Sequence, residues 1–279
     1  MKNIKFLALL PVLMLSACGL GTKLSDEKAQ ERIDAIKEKM ADMVDDENYQ
    51  NYKMSMTAES YYKNEDGDKE KMKAIYKLNQ NADGEFYAYV EVNMGKEKTT
   101  VDLYYALDDE YEEVLYVKSY NSEAEDEKTN INVTVKKDNS AFDAILAEYV
   151  SDVTSTLGRT VGVYGNPETV AAMVDGLGND YDEPSVAYYS GINGDFSVKA
   201  SVARSSEADD VDDDYKDSVL KSATVIATYS KDVLSSFDME QVFLSGDKAG
   251  QRGSIAYQKS FLKISLPNGW QNELDKDEE

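Results

Sequence analysis

From Tyr52 onward the sequence repeats with a period of two, and that repeat restricts the fold more than any other feature. Tyr52, Met54, Met56 and Ala58 alternate with Lys53, Ser55, Thr57 and Glu59. Met72, Ala74, Tyr76 and Leu78 do the same, as do Phe86 to Met94 and Val101 to Leu107. Val114 to Tyr120 and Ile131 to Val135 complete a first group of strands. A second group is predicted at Val186–Ser190, Phe196–Val202, Val219–Tyr229, Met239–Leu244 and Ile255–Leu266. The polar connections, such as Asn81-Ala82-Asp83-Gly84, are short enough for hairpins, so consecutive strands should pair antiparallel. One apolar and one polar face per strand suits a sheet covered on one side.

Helical spacing precedes this pattern and interrupts it once. Ser25-Asp26-Glu27 reads as an N-cap followed by acids that suit the positive helix end. Leu24, Ile33, Ile36, Met40, Met43 and Val44 then form one stripe. Ser140 with Asp143 resembles a capping box, and Phe142, Ile145, Leu146, Tyr149, Val150, Val153 and Leu157 make a second stripe, ending at Gly158. Asn166-Pro167 starts a further short helix that closes at Gly178. With no linker-like stretch between these blocks, the sequence predicts a single α+β domain over 25–270. It is a large curved antiparallel sheet of about eleven strands with helices packed on its apolar face. An acidic tail, 271–279, comes after it.

The segment before the domain reads MKNIKFLALLPVLMLSAC. Lys2 and Lys5 give a short positive region and Phe6 to Leu15 an apolar run, too short to span a bilayer, which takes about 20 apolar residues. The pattern is that of a cleaved export signal, 1–17. Leu15-Ser16-Ala17-Cys18 resembles the lipobox of bacterial lipoproteins. That resemblance implies a covalent diacylglyceryl group on the Cys18 thiol, with an N-acyl chain as an open addition, and cleavage immediately before it. The chain contains no other cysteine. Residues 18–24 then form a short linker. The expected location is the extracytoplasmic face of a bacterial cell membrane, with the lipid anchor as the contact to that membrane.

Composition excludes several chemistries. Without histidine there is no Ser-His-Asp or Cys-His pair and no imidazole metal site. A net charge of −24 argues against sequence-independent nucleic-acid binding, which needs a basic face. Losing Lys2 and Lys5 with the signal makes the exported part more acidic still. Ser218-Val219-Leu220-Lys221 has Ser/Lys spacing but sits in a strand pattern, so it is read as chance. The densest acidic run carries Asp209, Asp210, Asp212, Asp213 and Asp214. It offers oxygens for calcium but lacks the glycine and terminal glutamate of an EF-hand loop, so a solvated hairpin is the favoured reading and no metal is assigned.

The order of helix, six strands, two helices and five strands is similar to that of the LolA-like superfamily of periplasmic and surface lipid carriers. That resemblance implies an unclosed barrel with helices on its concave face, and a non-catalytic role as a binding or carrier protein for an apolar or amphiphilic ligand. Met40, Met43, Met54, Met56, Met72 and Met94 fall on the inward faces and are candidate ligand-lining residues, since methionine adapts to variable apolar partners. The favoured reading of the same residues is that they fill an irregular core between helix and sheet. The alternative function is a structural or interaction lipoprotein whose acidic face meets an envelope or host partner. No cofactor is expected.

Overall fold

The computed structural model describes residues 20–44, 52–63, 67–124, 128–137, 139–149, 162–191, 193–259 and 263–278. Its strands are β1 (Thr22–Lys23), β2 (Tyr52–Lys63), β3 (Lys69–Gln80), β4 (Phe86–Met94), β5 (Glu97–Asp108) and β6 (Glu112–Asn121). They continue with β7 (Thr129–Val135), β8 (Ser185–Ser190), β9 (Phe196–Ala203), β10 (Leu220–Ser230), β11 (Val233–Phe243) and β12 (Lys248–Lys259). Helices are α1 (Asp26–Val44), α2 (residues 142–149) and α3 (Pro167–Ala172). The strands form one 12-stranded antiparallel sheet in the order β1-β8-β9-β10-β11-β12-β2-β3-β4-β5-β6-β7, which is not closed into a barrel. The α+β class and antiparallel pairing are as the periodicity predicts. Among the described residues no helix is long and apolar enough to cross a membrane.

The chain divides into two compact units. One holds the described residues up to Met40 together with Val163–Asp247; the other holds Ala41–Gly162 and Lys248–Glu279. In the first, Phe196, Val198, Ala200 and Val202 of β9 share a buried face with Ala223, Val225, Ala227 and Tyr229 of β10. α3 packs on these two strands, and α1 buries Ala29, Ile33, Ile36 and Met40. Asn166 caps α3, its Oδ1 accepting from the Glu168 N–H at 2.9 Å, with Pro167 in the first turn as expected. Arg32 of α1 donates to Gly194 O at 3.2 Å and to Asp232 Oδ1 at 2.9 Å, tying down the turns that join β8 to β9 and β10 to β11. In the second turn Lys231 and Asp232 both have positive φ, a left-handed pair that costs energy in non-glycine residues.

The second unit carries apolar clusters on both faces of its sheet. Ala88, Leu103, Leu115 and Val117 pack with Phe142, and Ile145, Leu146 and Tyr149 of α2 lie against them. On the opposite face Val114, Tyr116 and Val133 pack with Trp270. Val114 to Val117 are therefore four consecutive buried residues, where one-sided cover predicts alternation. Trp270 and its neighbours Leu266 and Leu274, beyond the last strand, supply the second cover.

Some expected boundaries shift. β12 starts at Lys248 and ends at Lys259, earlier than the predicted Ile255–Leu266, because its partner β2 sets the register from Gly250↔Tyr61 to Lys259↔Tyr52. The predicted linker is partly strand: Thr22 pairs with Ser190 and Lys23 with Tyr189.

Candidate functional site

Cys18 and the lipobox residues Leu15, Ser16 and Ala17 lie outside the described residues, as does the side chain of Met43. Residues 21–24, just beyond the cysteine, are held firmly. Leu24 N donates to Tyr188 O at 2.8 Å, and Gly21 sits at φ +89 against β8. A Cβ on Gly21 would come within 2.0 Å of Ser190 O, so only glycine can pass there.

Met40 is buried in the first unit. Of the other candidates, Met54, Met56, Met72 and Met94 share one sheet face in the second, shown by the cross-strand pairs Met54↔Leu78, Met56↔Tyr76 and Met72↔Met94. Along that face exposure rises from Met56 at 1% to Met94 at 39%. At the exposed end Tyr62 is also open, its hydroxyl donating to Glu70 Oε2 at 2.7 Å and lying 3.9 Å from the Met94 sulfur. Unbranched side chains thus run from the packed core to an open apolar rim formed by Tyr62, Met72 and Met94.

The opposite face carries a polar lattice that periodicity alone does not single out. Tyr87↔Tyr104 and Tyr89↔Asp102 are cross-strand pairs, and Tyr104 faces Tyr116. The Tyr87 and Tyr104 rings are 4.6 Å apart, and the Tyr87 hydroxyl donates to Asp102 at 3.0 Å. Glu91 accepts from Tyr89 OH at 2.5 Å and Asn93 Nδ2 at 2.8 Å, and pairs with Lys98 Nζ at 3.1 Å. Those donors hold its carboxyl down at about 2. Burial, then the hydrogen bond to Glu91, pushes the Tyr89 phenol up to about 12. Burial and the Asp102 charge push Tyr87 up as well. A carboxylate already satisfied by three donors and phenols that resist ionisation make poor proton-transfer groups near neutral pH, but a rigid recognition surface. The sequence signal for this lattice is the polar half of β3, β4 and β5; only the register shows that the halves coincide.

In the first unit an open groove of about 640 Å³ is lined by Arg204, Lys216, Lys221, Asp209 and Asp210 among others. Arg204 donates to Asp180 Oδ2 at 3.3 Å and to Asp209 O at 2.9 Å, and Asp213 pairs with Lys216 at 2.6 Å. Asp213 and Asp214 lie in a short 3-10 turn after Asp212. Among the described residues no three acidic side chains converge as a cation site. Within the run, Arg204 takes the Asp209 carbonyl and Lys216 the Asp213 carboxylate.

Neither a protein-family model nor a curated protein matches the sequence. Among solved structures it is similar to a beta-barrel-like protein of a domain of unknown function, DUF1849, from Brucella abortus. Identity is 8% and the TM-score 0.22, over 78% of this chain and 99% of that one. It is also similar to a DUF1329 family protein from Desulfovibrio piger, at 9% identity and TM-score 0.22, over 87% and 96%. At these scores neither likeness carries an argument about the fold or the role of this chain.

Proposed function

We propose that the protein is a lipid-anchored extracytoplasmic lipoprotein that binds or carries an apolar or amphiphilic ligand. The observation that carries the binding reading is the graded methionine face of the second unit. Met56 and Met54 belong to the core, whereas Met72 and Met94 form a cross-strand pair at an open rim beside Tyr62. A polarizable, unbranched rim accommodates acyl chains of differing shape, while the Tyr62 hydroxyl and Glu70 place polar groups beside it for a headgroup. Anchoring rests on the lipobox resemblance and on Gly21 and β1, which fix the chain to the sheet just after Cys18. The polar lattice fits recognition better than catalysis.

Native mass spectrometry of the purified lipoprotein is expected to show a co-purified amphiphile or uptake of added fatty acid, reduced several-fold in Met94→Glu. Protein that is always empty and takes up no fatty acid would overturn the binding reading. Metabolic labelling with an alkyne fatty acid should mark the wild type and leave Cys18→Ala unlabelled; equal labelling of both would overturn the anchor.

A further inference from the structure

The chain as a whole is strongly acidic, with 54 acidic against 30 basic side chains. One face departs from that average. On the side of the second unit's sheet opposite the methionines, β3 alone presents Lys69, Lys71, Lys73 and Lys77. The register brings Lys53 and Lys63 of β2, Arg252 of β12, Lys98 of β5 and Lys118 of β6 onto the same side. The acids among them are Glu59, Glu91 and Asp102, with Asp108 and Glu112 where β5 turns into β6. Glu59 is taken by Arg252 at 2.7 Å and Lys71 at 3.1 Å, and Glu91 by Lys98. Lys53, Lys69, Lys73 and Lys118 are exposed and make no ion pair among the described residues. Lys77 lies over the Tyr89 ring, 5.0 Å from its centroid.

Between these cations stand Tyr87, Tyr89 and Tyr104, half-buried, with the Tyr87 and Tyr89 hydroxyls bound to carboxylates. Six neighbouring strands at about 4.8 Å spacing make this face about 24 Å wide, enough to meet several lipid headgroups at once. Among the described residues, Trp270 and its neighbours cover the β6–β7 end, where Tyr104 of β5 packs against them.

We propose that this lysine and tyrosine face docks on an anionic membrane surface. The inference rests on the anchored-lipoprotein reading, because the acyl chains keep a bilayer within reach and so raise its effective concentration. Lysines near an anionic leaflet are attracted within a Debye length, and tyrosine rings favour the headgroup level. With a net charge of −24 the rest of the chain is on average repelled from the same leaflet, so the charge pattern favours this orientation of the second unit. The face, not the anchor, sets which side of the second unit meets the membrane.

The test uses lipidated protein reconstituted in vesicles of phosphatidylcholine alone, or with about a third phosphatidylglycerol. Amine acetylation is read residue by residue by mass spectrometry. Lys73, Lys77 and Lys118 should react at least about threefold more slowly on the anionic vesicles, recovering near 0.5 M salt. Lys136, paired with Glu113 on the opposite side of the same sheet, should not change. Lys73→Glu with Lys118→Glu, both exposed, should abolish the protection while leaving the thermal transition in place. Equal acetylation on the two vesicle types would overturn the proposal. So would protection by soluble polyphosphate with none from vesicles, which would make the face a polymer site. Flotation with neutral vesicles reads the anchor separately: protein that floats only with anionic vesicles overturns the anchor reading and supports the face.

Discussion

Gly21→Ala should release the N-terminal strap without unfolding the protein. The added methyl would lie 2.0 Å from Ser190 O, 2.6 Å from Ser190 C and 2.8 Å from Gly191 Cα, all backbone atoms that cannot rotate away. The positive φ alone costs an alanine about 1–2 kcal/mol. Against this, the strap is held by Leu24 N–H···O=C Tyr188 and by the pairing of Thr22 and Lys23 with β8. Each such bond contributes about 0.5–1.5 kcal/mol net, and ordering the strap costs about 1–2 kcal/mol per residue, which offsets much of that. Docking is thus worth at most about 1.5 kcal/mol, less than the clash and the φ cost together. Exchange of the Leu24 amide should accelerate by up to about tenfold, since 1.4 kcal/mol is a factor of ten. The melting temperature should fall by only a few degrees, about 2–4 °C per kcal/mol at this size. Gly194→Ala is the control: its φ is +78 with no atom within 4 Å of the new methyl, so Leu24 exchange should stay unchanged. Gly21→Ala with wild-type exchange at Leu24 would refute the seating. The release also lengthens the tether. At about 3.5 Å per residue, the reach from Cys18 grows from about 14 Å at Thr22 to about 28 Å at Asp26, which should loosen any fixed orientation at the membrane.

Phe142→Ala removes the side chain that joins α2 to the second unit's inner cluster, where it is 1% exposed. Denaturant melts should show a loss of about 3–5 kcal/mol, and a loss under about 1 kcal/mol would mean that α2 is not part of that core. Glu91 titrates at about 2 in the folded chain against an ordinary 4.5, held down by Tyr89, Asn93 and Lys98. Its contribution is therefore fully present above about pH 4.5 and is lost as pH falls through about 2. Glu91→Gln should lower stability at neutral pH and flatten the stability profile between those values; an unaltered acid slope would refute the network.

Alternation announces the sheet because each strand is read against itself, and it fails where something outside the strand decides. It predicts β11 only from Met239, although the strand begins at Val233. Leu234 and Phe237 are both buried yet three residues apart. The pairing runs Thr228↔Ser236 and then Tyr229↔Leu234, leaving Ser235 as an extra residue whose hydroxyl donates to Thr228 O at 2.9 Å. A bulge of this kind erases the period of two. β12 is misplaced for a related reason. Gly250 and Gly253 give its first half no alternation to see, while Ile264 and Leu266, apolar and suitably spaced, are buried or half-buried outside any strand. β1 has too few residues to show a period; only the space beside Gly21 marks it.

The candidate surfaces are legible in their residues but not in their grouping. Lys69, Lys71, Lys73 and Lys77 are visible as the polar half of β3, yet the net charge of −24 makes any basic surface look improbable. Charge is a sum over the whole chain, whereas a sheet sorts residues by parity. Whichever register turns Ala74 and Leu78 toward the core must turn those four lysines outward, and the pairing with β2, β4, β5 and β6 adds Lys53, Lys98 and Lys118 to their side. A slip of one residue would drive the lysines into the core, so burial of the apolar half enforces the basic face at no cost of its own. The same parity places Met72 and Met94 on the reverse side. A ligand on the methionine rim and an anionic surface on the lysines would therefore address opposite faces of one sheet, so Met94→Glu and Lys73→Glu should have separable effects.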